Sequence, residues 1–157
     1  MSFYESDVRV DVKPGAIKLV HLPSEREPVA MGIHGPIAAH YHVSEGAFEG
    51  HASTLDYIVG AATACLTGTL NRALAMKRIP TAGGRLQVAG QGHIEIEGGV
   101  LIIRSIEVTA RLKAKPTQRS EVEQIIAEYS LQCPVYRSLF KSIEIVTKLE
   151  FESDNTD

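Results

Sequence analysis

The spacing of apolar positions changes several times along this chain, and each change marks an element. Over 8–12, VRVDV alternates apolar and charged residues, and 17–22, IKLVHL, is nearly as apolar. The Pro14-Gly15 pair between them predicts a hairpin. Residues 28–43, PVAMGIHGPIAAHYHV, are apolar but interrupted by Gly32, Gly35 and Pro36, which predicts irregular strands. A loop over 44–52, SEGAFEGHA, leads to Ser53, an N-cap candidate with Asp56 three residues on. From 54 to about 78 there is no proline, and Leu55, Ile58, Val59, Ala62, Cys65, Leu66, Thr69, Leu70 and Ala73 recur at helical spacing. The pattern predicts a long, largely buried helix ended by Pro80. Gly60, Ala64 and Gly68 recur every four residues, a small-residue stripe that lets a second helix or a partner subunit approach closely.

Beyond Pro80, segments 85–97 and 100–113 flank Gly98-Gly99, a strong two-residue hairpin signal. In the second of them Val100, Ile102, Ile106, Val108, Ala110 and Leu112 share one face, which Arg104 interrupts. A second helix is predicted over 118–131, with Val122, Ile125, Ile126 and Tyr129 on its apolar stripe and Glu121, Glu123 and Glu128 off it. CPVYRSLF then reads as a short helix, followed by an alternating strand, SIEIVTKLEF, and a polar tail. The outline is an α+β fold, one domain over 1–157, with two main helices against antiparallel strands.

Composition narrows the function classes. With 157 residues, 44% hydrophobic and 22% charged, the chain has an ordinary globular balance and buries roughly two-thirds of its unfolded surface, so its core needs no disulfide or metal staple. A net charge of −3 with scattered Lys and Arg offers no stripe for phosphates, which argues against nucleic acid. The start, MSFYESDVRV, has no basic segment leading into an apolar run, and no stretch reaches membrane-span length. The expectation is a cytoplasmic protein with no membrane partner. Cys65 and Cys133 match no zinc or haem spacing, and no cofactor is expected. In a reducing compartment such a pair is reactive or merely buried rather than a permanent bridge.

Pro134 fits the first position of the short helix, which puts Cys133 at its N-cap. There a thiol meets unpaired N–H groups and the positive end of the helix dipole, both of which favour the thiolate; a small residue tolerated at a cap is the alternative. Cys65, mid-helix on the packed face, is on local grounds a small buried hydrophobe, and it needs an Arg, a protonated His or a partner thiol to become reactive.

A cysteine within the small-residue helix GAATACLTGTLNRALAMKRI and a later CPVYRSL after an amphipathic helix resemble the OsmC/Ohr family, the osmotically induced and organic-hydroperoxide-resistance proteins. The resemblance runs from Phe48 to Leu149. It implies an intertwined homodimer with two active sites at the subunit interface. It also implies that Cys65 is the peroxidatic thiolate, oxidised to a sulfenic acid by an organic or lipid hydroperoxide, and that Cys133 resolves it as a disulfide. A dithiol reductant, lipoyl-type or a small thiol, would reset the pair.

Two positions depart from the family pattern. Its peroxidases carry a glutamate in an Asn-Pro-Glu segment at the start of the cysteine helix, whereas this chain reads Ser53-Thr54-Leu55-Asp56, with Leu55 in the glutamate slot. In one branch an arginine precedes a Phe-Glu-Gly run, but here Ala47 precedes Phe48-Glu49-Gly50. Candidates for the missing cation are Arg104, whose other reading is a bulge or a solvated edge, Arg9 and Arg26, and the histidines His40, His42 and His51 ahead of the helix. His40 and His42, read as sharing a strand face, offer with Cys65 a weaker metal-site reading, and a metal is not expected. Asp56 reads as a supporting acid or, more simply, as the partner of Ser53 in a capping box. The sequence thus carries two functional expectations: thiol-dependent reduction of organic hydroperoxides, or an OsmC-like dimer that binds a small hydrophobic ligand without turnover.

Overall fold

The computed structural model describes residues 3–44 and 46–155; Glu45, in the loop expected over 44–52, and Thr156 and Asp157, at the end of the polar tail, lie outside the described residues. Two compact units divide the chain, Met1–Tyr57 and Ile58–Asp157.

In the first unit β1 (Arg9–Val12), β2 (Lys18–His21) and β3 (Val29–Met31) form an antiparallel sheet in that order, with Val10 opposite Val20 and Leu19 opposite Ala30. The predicted hairpin closes through Gly15 and Ala16, both at positive φ, with Lys13 N–H donating to the Ile17 carbonyl at 2.8 Å. The irregular strands expected over 28–43 are corrected: only β3 is a strand, and a short helix, α1 (Gly35–His40), follows. Pro36 sits in the first turn of α1, where its missing N–H leaves no helical bond unmade, so the residue taken as a strand breaker starts a helix. His40 closes α1 and His42 follows in a turn at φ 56°, so the two do not share a strand face.

The long helix α2 (Thr54–Met76) begins in the first unit and continues through the second. Its start is the predicted capping box: Ser53 N–H donates to Asp56 Oδ2 at 2.6 Å, and Asp56 N–H donates to Ser53 Oγ at 3.2 Å. Its end comes before Pro80. Arg78 turns left-handed at φ 58°, Arg78 N–H donates to the Ala75 carbonyl, and Ile79 N–H donates to the Leu74 carbonyl, which is a Schellman motif with arginine in the usual glycine place. The helix is less buried than its pattern predicted. Ala62, Leu66, Leu70 and Leu74 form one buried i, i+4 stripe, while Gly60, Ala64 and Gly68 are exposed.

In the second unit β4 (Leu86–Glu97) and β5 (Val100–Ala114) make the expected antiparallel hairpin, turning through Gly98 and Gly99 at φ 58° and 82°. Both positive angles suit the two-residue turn that matches strand twist. Glycine also permits close packing of α2 on β4: a Cβ on Gly90 would strike the Thr63 side chain, and one on Gly92 would lie 2.5 Å from Val59 Cγ2. The pairing shifts register as His93 faces Ser105 and Ile94 faces Ile103, which leaves Arg104 as the extra residue of a β-bulge. The bulge resets the side-chain alternation, so Ile103 and Ile106 are both buried although their sequence parity differs.

A 3₁₀ turn leads into α3 (Arg119–Glu128); a second, Tyr129–Gln132, precedes α4 (Pro134–Leu139) and then β6 (Glu144–Ser153). The α+β outline stands, but one pairing expected to be antiparallel is parallel. β6 runs alongside β5 from Ser105 opposite Glu144 to Ala114 opposite Ser153. The physical reason is the intervening connection: α3 and α4 carry the chain back to the starting end of β5, as a parallel pair requires. At the far end Asp154 is buried, takes a 2.5 Å bond from Arg85 Nη1 and donates its own N–H to the Ala114 carbonyl.

Candidate active site around two thiols

The second unit brings Cys65 and Cys133 together although they are far apart in sequence. Cys65 lies half-buried in the middle of α2, flanked by the buried Ala62 and Leu66. Cys133 is fully buried at the N-cap of α4, where its sulfur accepts the Tyr136 N–H at 3.5 Å. The 3₁₀ turn before it and Pro134 after it fix that position, since the cap needs an extended residue between two helical segments, and Cys133 has φ −83° and ψ 119°. The two side chains are neighbours, close enough for Cys65 to act on the Cys133 thiol, and both thiols are free. Thr69, one turn after Cys65, donates to the Cys65 carbonyl at 3.0 Å.

The N-cap geometry of Cys133 matches the sequence reading, but its chemical consequence is reversed. Burial pushes the Cys133 thiol up from 9.0, the Tyr136 amide opposes this, and the neighbouring Cys65 pushes it further up. Desolvation therefore outweighs the cap and dipole, and Cys133 is a protonated thiol at neutral pH. Tyr129 beside it is buried, which pushes its phenol up to about 12; a hydrogen bond with Thr147 opposes that shift and the Cys133 sulfur adds to it.

Cys65 opens onto a cleft of about 630 Å³. α2 contributes Cys65, Thr69, Arg72 and Met76, and the opposite wall contributes Tyr129 and Pro134. Arg72 is the residue that sequence reasoning missed. It stands seven residues after Cys65, two helical turns on and on the same side, a spacing that could have been read from the helix alone. Among the described residues it makes no ion pair.

Four other candidates have partners elsewhere. Arg104, in its bulge, is exposed and pairs with Glu95 through Nε at 3.0 Å and with Glu97. In the first unit Asp56 Oδ2 accepts from Ser53 Oγ at 2.7 Å and lies 2.7 Å from His34 Nε2. Burial works to raise the Asp56 carboxyl, but the bonds from Ser53 and His34 outweigh it and hold the group below 3.8. His51 packs against Gly32 and lies 3.8 Å from Glu49. Arg9 bonds His21 and lies near Asp11. Among the described residues no cluster of three or more His, Cys, Asp or Glu side chains is arranged to hold a metal ion, and no helix is long and apolar enough to cross a membrane.

This architecture occurs in solved structures. An OsmC-like protein from Mycoplasma pneumoniae has a TM-score of 0.74 at 14% identity, covering 96% of this chain and 99% of its own. An organic hydroperoxide resistance protein from Elizabethkingia anophelis, solved with thiocyanate bound, has 0.64 at 17% identity, covering 98% and 99%. OhrB of Bacillus subtilis, also an organic hydroperoxide resistance protein, has 0.60 at 14% identity, covering 96% and 100%. No curated protein matches the sequence. At these identities the structures speak for the fold, and the sequence itself speaks for the family: the model described as OsmC-like protein matches residues 47–148, which hold both cysteines and all of α2, β4 and β5. The chain is therefore a member of the OsmC-like family.

Proposed function

We propose that this chain reduces organic hydroperoxides with Cys65 as the attacking thiolate and Cys133 as the resolving thiol. The observation that carries this reading is that the two thiols are neighbours, Cys65 on the wall of an open cleft and Cys133 buried beside it. Cys65 attacks the terminal oxygen of the hydroperoxide; the O–O bond breaks, an S–O bond forms, and the alkoxide leaves with a proton as the alcohol. The sulfur loses two electrons and becomes a sulfenic acid. Cys133 then attacks that sulfur, its proton leaves with the sulfenic hydroxyl as water, and a disulfide remains. A dithiol reductant resets the pair by exchange and is itself oxidised to a disulfide. Relatives named for organic hydroperoxide resistance favour the same chemistry. We further infer a homodimer working in a reducing compartment such as the cytoplasm.

A second reading has its own observation. Asp56 and Arg104, two of the three supporting candidates, are committed to other partners, which favours an OsmC-like dimer that binds a small hydrophobic ligand without turnover. Intact mass under non-reducing conditions, before and after one equivalent of an organic hydroperoxide, separates the two. Peroxidase chemistry predicts rapid loss of two hydrogens in the wild type, no change in Cys65→Ser, and one added oxygen in Cys133→Ser. An unchanged wild-type mass after prolonged exposure sinks the peroxidase reading.

A further inference from the structure

We propose that Arg72 anchors an acidic group of the substrate, so that the Cys65 cleft selects amphiphilic hydroperoxides carrying a carboxylate over neutral ones. The inference rests on the hydroperoxide reading and goes beyond it, to a specificity-determining residue. Three features of the cleft converge on such a ligand. The reacting sulfur stands at one place on α2, and Arg72, a fixed positive charge without an ion-pair partner among the described residues, lines the same cleft two turns later. Gly68 and Thr69 lie between them, and most of the remaining lining is apolar: Ala73 and Met76 beyond Arg72 on α2, and the Tyr129 ring and Pro134 opposite, beside Gln132. A nucleophile and a cation on one wall of a largely apolar cleft complement a molecule with a peroxide, an apolar chain and an acid.

The spacing sets the reach. Seven residues of helix rise about 10 Å, and the two-turn spacing keeps Arg72 on the same side of α2 as Cys65, so both line one cleft. A guanidinium also binds a carboxylate through two parallel hydrogen bonds, so the anchor fixes orientation as well as position. An exposed arginine elsewhere on the surface would give neither benefit. Arg72 is thus a binding residue with a defined partner class rather than the group that activates the thiol.

The test compares linoleic acid hydroperoxide with its methyl ester, both kept below their micellar range, in the wild type, Arg72→Gln and Arg72→Lys. The wild type is expected to favour the free acid by about tenfold in kcat/KM, the scale of one charge-assisted contact at a partly solvated site, chiefly through KM. Arg72→Gln should bring the ratio close to one, and Arg72→Lys should retain part of it. Equal use of acid and ester by the wild type overturns the proposal, as does a preference that survives in Arg72→Gln. A uniform fall in kcat for both substrates also overturns it, because that would make Arg72 a thiolate-stabilising group. If the wild type reduces neither compound, the peroxidase reading fails, and calorimetric binding of octanoate against octanol judges the anchor separately. Octanoate bound more tightly than octanol in the wild type only would uphold the anchor, and equal binding would overturn it.

Discussion

Asp56 and Cys133 occupy similar places, each at the first turn of a helix, yet their charges settle in opposite ways. Asp56 faces the Ser53 amide and hydroxyl and the His34 ring, and enough water reaches it for those bonds to prevail over desolvation. Cys133 has one long amide contact and no exposure, so desolvation prevails. The sequence placed both residues at caps correctly. It could not supply burial, which decided the sign for Cys133, and the cations it offered lay on β5 or ahead of the helix and not along α2, where Arg72 stands. A measurable consequence belongs to Asp56. Its carboxyl is lowered in the folded chain, so it contributes stability above 3.8, its ordinary value, and loses that contribution as pH falls through the folded value. Thermal midpoints of the wild type and Asp56→Asn should therefore differ most near neutral pH and converge on acidification below that point. A gap that stays constant with pH would assign the bond geometry, and not the charge, to the cap.

Among the elements, the legible ones were those with strictly local signals. The Gly98-Gly99 turn, the capping box and the period of α2 each fix their element within a few residues, and all three match the structure. The misread ones depend on where the chain goes next. Pro36 in the first turn of α1 has the same composition as a strand breaker, and the direction of β6 depends on the whole α3–α4 connection. The end of α2 shows the same division. Pro80 marks the place, but the stop is made by Arg78 in the left-handed region, with the buried Ile79 closing the motif. A side chain with a Cβ is disfavoured there, and Arg78 is exposed with no ion pair among the described residues, so Arg78→Gly relieves strain at little other loss. The substitution should raise unfolding stability by about 1 kcal/mol after allowing for glycine's greater freedom in the unfolded chain. Chemical denaturation checks this, and a destabilised Arg78→Gly protein would mean that Arg78 makes a contact worth more than the strain.

For the whole molecule the question is what covers the surfaces that one chain leaves bare. The Gly60, Ala64 and Gly68 stripe of α2 faces away from the buried stripe and is exposed. Val10 and Val12 of β1 are 50% and 81% exposed, and Ile96 and Val100 at the tip of the long hairpin are 63% and 59% exposed. Isolated exposed apolar residues are ordinary, but entire element faces left in this state fit burial by a second copy. Gly60 provides a test with opposite signs for the two cases. A Cβ there meets nothing within 4 Å in the single chain. In a monomer, Gly60→Leu would simply replace a poor helix former by a good one and gain about 0.5–1 kcal/mol. In a dimer whose helices approach through small residues, the same leucine forces the subunits apart. We expect wild-type protein to have twice the chain mass of 17.1 kDa by light scattering, and an unfolding midpoint that rises with concentration. Gly60→Leu should shift the population toward single chains and lower the midpoint. A Gly60→Leu protein that is more stable than wild type at unchanged mass would remove α2 from the interface, because only the single-chain gain would then remain.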